Sequence, residues 1–406
     1  MAAQTLCQAC ITGIGTVSPF GIGGREIVAS IVRSKQTAVR PITSFSTQAL
    51  SSHLGGEVIG ALPVGENEGR RWSRVSQMAV TASRHAVLEA RLDAEQISHR
   101  LGLVVGTEFG DLRSTEAFHA GFIRRGPRGL RAFLFPNTVM NSMAGIVSIA
   151  LGIKGPILTL NQSGIAGEVA MARALGLLWA QRADAVLVCG VDELFLTLYE
   201  ALVLLNLPSP QSGNDELCRP LDIRHNGPVL GEGATAIIIE TPEHANARGA
   251  QILGQLYSAS WGSNKARLHH YPSISRLSSR VIDRTLRIGS ISLGDVGAAY
   301  LSCSGDPPHD DAEATVLSRS FGPKGPLLTT VAHLVGDYGS MGVLRIAAAT
   351  VTASTGILPQ LHYLETPIRS DVRYAVDGLK PSSAFVLVHG IARGGSEAAL
   401  LIGPPA

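Results

Sequence analysis

Short, mainly apolar runs alternate with longer stretches of helical period along most of the chain. The runs at 101–106, 185–190, 234–240, 252–258, 298–302, 385–389 and 398–402 have strand length. They are mainly apolar, with no regular polar alternation, which predicts strands covered on both faces. Between them, the spacing predicts helices over 73–90, 145–151, 165–182, 275–286, 312–321 and 341–354. Strands and helices that alternate in this way predict an α/β fold.

The stretch 165–182 carries the strongest positional signal. Ile165, Val169, Ala172, Leu175 and Trp179 recur at helical spacing, while Gly164, Gly167, Ala170 and Ala174 keep the other faces small. A helix with an apolar stripe and small residues elsewhere predicts a central place between layers, with its N-terminus opening into the interior. Residues 242–249 follow the strand ending at Glu240 and read as a connector. They divide the chain into halves 1–242 and 243–406 of similar strand and helix content, as an old duplication would leave them.

Composition narrows the class. A chain of 406 residues, 45% hydrophobic and 16% charged, is long enough for a large core and falls outside the disordered range. A net charge of +2, read as lacking any Lys/Arg cluster, gives no basis for nucleic-acid binding. Five cysteines, at 7, 10, 189, 218 and 303, are an odd count that argues against a disulfide framework. Cys7 and Cys10 have metal or redox spacing, but no second pair follows and Cys10 leads into Ile11, so a buried first strand is expected and no metal. The N-terminus lacks a basic region followed by a long apolar run, and nothing reaches about 18 apolar residues in a row. The expected compartment is the cytoplasm, with no membrane partner and no cofactor.

Three motifs add identity to this pattern. The first is the glycine-rich opening from Ile11 to Gly21. The second is Phe135-Pro136 through Asn141 to Gly145, followed by Lys154-Gly155-Pro156. The third runs from Arg219-Pro220 through Asp222 and Gly227 to Gly231-Glu232-Gly233. Together they resemble the β-ketoacyl synthases of the thiolase fold over nearly the whole chain. The resemblance implies an α/β thiolase fold of five layers, α-β-α-β-α, built from two similar halves.

A working member of that family uses a Cys nucleophile at a helix N-terminus, two His and a supporting Lys. Counted from Gly155-Pro156, the Cys position falls on Gly164. Anchored on Asp310, Glu313 and Phe321-Gly322, the first His position falls on Ser302. Asp337 stands at the second His position and Val331 or Ala332 at the Lys, and the family's Gly-Phe-Gly-Gly gate reads Ala392-Arg393-Gly394-Gly395. Correlated losses on a retained scaffold resemble the chain length factor, the ketosynthase β subunit of type II polyketide synthases. That subunit often carries Gln in place of the Cys, whereas Gln162 lies two positions early. This departure weakens the resemblance to aromatic-type synthases and leaves room for the highly reducing, polyene-making systems.

The residue types themselves bear on the alternatives. Ser163 is a possible nucleophile, but a Ser needs a base, and only His333 and His309 are near in sequence. It is therefore expected to cap the helix. Asn161 and Gln162 have the chemistry to hold a malonyl thioester for decarboxylation, yet Asp337 would repel its carboxylate. Asp337 is expected to pair with a nearby cation, with Arg393 a candidate. Cys303 is expected as a small buried hydrophobe, and Asp310 and Glu313 as loop supports.

The resemblance also places a partner. It puts 157–162 at a subunit interface as an edge strand, and Leu134, Phe135, Thr138, Met140, Asn141, Asn161 and Gln162 toward the partner's tunnel. Phe118 and Phe122, four apart on a predicted helix 114–122, are candidates for the tunnel floor or for ordinary core. The expectation is a non-catalytic chain length factor that completes a heterodimer with an active ketosynthase, meets an acyl carrier protein through that complex and sets chain length. The alternative is a chain acting on its own, as a malonyl-thioester decarboxylase or a Ser163-dependent acyltransferase or hydrolase.

Overall fold

The computed structural model describes residues 9–210, 215–268, 270–273 and 280–405. Cys7 and residues 275–279 of the predicted helix 275–286 lie outside the described residues. Strands β1 (Ala9–Ser18), β2 (Gly21–Gly23), β3 (Arg40–Pro41), β4 (Leu54–Gly55), β5 (Leu101–Thr107), β6 (Ile157–Asn161), β7 (Ala185–Asp192) and β8 (Gly233–Glu240) precede Pro242. Strands β9 (Gly254–Ser263), β10 (Val296–Tyr300), β11 (Leu327–Thr329), β12 (Arg373–Tyr374), β13 (Phe385–Ile391) and β14 (Ser396–Gly403) follow it.

β3 and β4 pair apart; the others form one sheet in the order β12-β11-β10-β13-β14-β9-β1-β8-β7-β5-β6, with β2 on β1. Outward from the centre, β1-β8-β7-β5-β6 and β9-β14-β13-β10-β11 repeat one pattern of two antiparallel steps and then two parallel ones. β1 and β9 join the sets through Ala9↔Leu256, Cys10↔Gln255 and Ile11↔Gly254.

Helices complete the layers. Arg74–Ala90 and Ser142–Leu151 cover the outer face of the first strand set, and Arg280–Gly289 and Pro307–Phe321 that of the second. Ala166–Trp179 and Gly342–Thr355 lie between them and touch strands of both sets. The layering is α-β-α-β-α, the mixed α/β thiolase fold expected above. Small residues permit this: a Cβ on Gly167 would fall 2.4 Å from the Val343 backbone nitrogen, so the central helices meet backbone to backbone.

Some expected boundaries shift for physical reasons. Residues 242–249 are more than a connector, because Pro242–Ala247 is a short helix whose first turn is capped by Thr241, which accepts the His244 N–H at 3.2 Å. β9 runs on through polar Ser260 to Ser263 because β14 supplies a full ladder there. No single helix among the described residues is long and apolar enough to cross a membrane.

Candidate functional site

Parallel strands deliver their loops to one side, and the crevice at their carboxyl ends is where such sheets place chemistry. β5 ends into Glu108, β6 into Asn161 to Gly164, and β7 at Asp192; β10 and β13 bring Ser302 and Ile391 from the other set. Gly164 sits at φ +65°, and the nearest atom to a Cβ added there is the Ala392 Cβ at 4.0 Å. Space for a side chain is open, and the chain puts none in it.

Contrary to the expectation above, Ser163 does not cap the central helix; that helix starts at Ala166 with Ile165 in the cap position. Its hydroxyl instead donates to Glu108 Oε1 at 2.7 Å, and the Gly164 N–H donates to Glu108 Oε2 at 3.1 Å. The Glu108 backbone is fixed on both sides: its N–H donates to Asp192 Oδ1 at 2.9 Å, and its carbonyl accepts the Asn161 side-chain amide at 2.6 Å. Burial, reinforced by Asp192 and Asp337, pushes the Glu108 carboxyl up to about 7 despite the two donors.

Ser302 is buried and fully engaged. It accepts the Ile391 N–H at 3.1 Å and donates to Glu313 Oε2 at 2.9 Å. With its single proton spent, the 2.8 Å contact with His309 Nε2 makes the imidazole the donor. His309 thus belongs to Ser302, where it stacks on Tyr271 at 4.6 Å, and not to Ser163. His333 packs on Tyr363, and burial pushes it down to about 3, so it is neutral. Glu313 also holds His389, which lies between it and Glu397 at 2.8 and 3.1 Å. Both carboxylates keep this buried imidazole protonated against the pull of burial. Cys303 is buried beside Glu313, and Asp310 accepts the N–H groups of Leu221, Ser304 and Gly305, as loop support requires.

Asp337 does not pair with Arg393. Arg393 reaches Asp306 at 2.7 Å and lies over the Tyr271 ring. Burial pushes the Asp337 carboxyl up, and the cation pulling it back is Arg345. Arg345 is itself fully buried and donates through Nε to Glu168 Oε1 at 2.9 Å, with Nη2 3.5 Å from the Gly164 carbonyl.

The remaining candidates stand apart, on one flank. Phe118 and Phe122 lie on the helix Leu112–Arg125, and the 3-10 segment Ala132–Thr138 folds back on it. Gly121 and Gly129 permit this, since a Cβ on either would strike the other's carbonyl. Phe118 is half-buried against Phe135, ring centres 5.9 Å apart, and Phe122 is 48% exposed, so neither is in the core. Leu134 and Thr138 are half-buried, while Phe135, Met140 and Asn141 are exposed. Among the described residues β6 pairs only with β5, and it exposes Ile157 and Leu158. Gln162 lines a neighbouring cavity of about 260 Å³ with Arg173, Trp261 and Glu397. A cleft of about 370 Å³ on the same helix gathers Arg113, Arg124, Arg125 and Arg131, a basic cluster that the sequence reading did not register.

The family model for the β-ketoacyl synthase N-terminal domain matches residues 8–245. The chain belongs to the β-ketoacyl synthase family. The 3-oxoacyl-acyl-carrier-protein synthase 2 of Staphylococcus aureus is 28% identical over 367 residues, 87% of this chain and 89% of the relative. Among solved structures, the ishigamide ketosynthase/chain length factor superposes with a TM-score of 0.88 at 21% identity, covering 98% of this chain and 99% of the other. A type II polyketide synthase ketosynthase, bound to a hexaketide and in complex with its acyl carrier protein, gives 0.88 at 19%, with the same coverage.

Within this β-ketoacyl synthase fold, the sequence reading missed Glu108, Arg345, Glu168, His389 and Glu397. Glu108 had a signal, being a carboxylate directly after a buried strand and so at the crevice. The others lie inside helices or strands, where only the fold shows what they face.

Proposed function

We propose that this chain is the non-catalytic, chain-length-determining partner of an active ketosynthase. The observation that carries it is Gly164: the nucleophile position holds no side chain, and its N–H is already taken by Glu108. The immobilised Ser302 and the carboxylate of Asp337 at the two His positions support the same reading. The open edge of β6 and the exposed Phe122, Phe135 and Met140 supply the surface for the partner. The arginine cleft suits an acidic partner, and the acyl carrier protein of the complex is the one proposed.

The test is co-expression with a candidate partner ketosynthase carrying the Cys-His-His set, with mass spectrometry of the products. Phe118→Ala and Met140→Trp are expected to shift product length, and Gly164→Ala to leave turnover intact. Strain at the left-handed position is expected to cost Gly164→Ala about 1–2 kcal/mol of stability. Unchanged product length across several such cap variants sinks the chain-length role.

One observation favours the second reading, a Ser163-dependent acyltransferase or hydrolase. Glu108 is a carboxylate base in contact with Ser163, shifted toward neutral pH as general bases are. Against it, the same carboxylate fills the N–H that an oxyanion would need. Thioester turnover by the chain alone that disappears in Ser163→Ala would establish this reading.

A further inference from the structure

We propose that Glu108 is a built-in plug that closes this chain's own acyl site to thioesters, so that condensation is confined to the partner's site. The inference rests on the reading of the chain as a non-condensing partner, and it names the residue responsible.

An acyl thioester at this place would need backbone N–H donors for its carbonyl oxygen. The Gly164 N–H, which belongs to the nucleophile position itself, donates to Glu108 Oε2 at 3.1 Å, and the neighbouring Ser163 hydroxyl donates to Oε1 at 2.7 Å. A ligand must displace both contacts before it binds. The plug is also seated from behind. Asp192 holds the Glu108 N–H and Asn161 its carbonyl. Across the site, a Cβ on Gly339 would fall 2.0 Å from Oε2 and 2.3 Å from the Glu108 Cβ. Glu108 and Gly339 are therefore a matched pair, a long side chain in the space that a glycine leaves.

A Cβ added at Gly164 would meet nothing closer than 4.0 Å, so the nucleophile position itself is not packed over.

The experiment introduces a reporter thiol with Gly164→Cys in the full-length chain, in complex with its ketosynthase. Alkylation by iodoacetamide is followed by peptide mass, in three backgrounds: Glu108 intact, Glu108→Gln and Glu108→Gly. The Gln variant separates occupancy from charge, since a nearby carboxylate also suppresses the thiolate. Expected is slow labelling with Glu108 or Glu108→Gln. Glu108→Gly should label about tenfold faster, the factor expected from losing one charge-assisted hydrogen bond. Equal rates in all three, or a Gln variant as fast as the Gly variant, overturn the plug. Where Glu108→Gly fails to fold, Glu108→Ala removes the carboxylate while keeping the Cβ that packs on Gly339, and an unchanged rate there overturns it equally. The labelling rate is independent of product length, so the plug and the chain-length role fail separately.

Discussion

At the residue scale, Glu108 sets a sign for pH dependence. Burial, helped by Asp192 and Asp337, moves its carboxyl from 4.5 to about 7 in the folded chain. Between those values the unfolded chain releases the proton and the folded chain keeps it, so stability falls as pH rises through the interval. Glu193, pushed up to about 7 by burial, adds a slope of the same sign. Glu108→Gln is therefore expected to flatten, though not abolish, the decline in Tm between roughly pH 4.5 and 7. An unaltered slope in a melting series would show that the carboxyl is not held protonated. Gly164, Ser302 and Asp337 were singled out from motif spacing alone. Their present partners were not: Ser163 finds a carboxylate 55 positions away, and Arg393 takes Asp306 over Asp337. Such choices depend on which loops the strand order brings side by side, and spacing along the chain says nothing of that.

At the element scale, the exposed edge of β6 carries the partner reading. An edge strand with apolar side chains is a template for pairing and a liability alone. Leu158→Asp is expected to abolish co-purification with the ketosynthase while leaving the far-UV circular dichroism of the chain unchanged. Retained co-purification would move the interface elsewhere. Most long apolar elements were legible within a few residues, because burial on both faces writes itself into composition; the helices Arg25–Arg33 and Leu196–Leu204 were not read. The short strands β2, β3, β4 and β12 were not, since their two or three residues carry no period. The segment Ala132–Thr138 was missed as well; Pro136 inside it removes a backbone donor and disrupts any helical signal.

At the scale of the molecule, the Arg345–Glu168 pair links the two central helices across the middle layer. Breaking a buried pair by removing one member leaves the other charge stranded, which costs about 3–5 kcal/mol. Arg345→Met is expected to lose stability on that scale in chemical denaturation, and Arg345→Met with Glu168→Met to recover much of it. Equal losses in the single and double variants would mean that packing, not charge, links the helices. The layering was legible because one helix, 165–182, is too apolar and too small-residued for any surface. The three paired residues between β1 and β9 have a further consequence. They make a single hydrogen-bonded sheet out of what would otherwise be two lobes, and a continuous ladder has no hinge axis. Entry to the crevice is therefore a matter of loop motion at the strand ends, on the timescale of side chains and short segments. It does not require the slower opening of one lobe away from another.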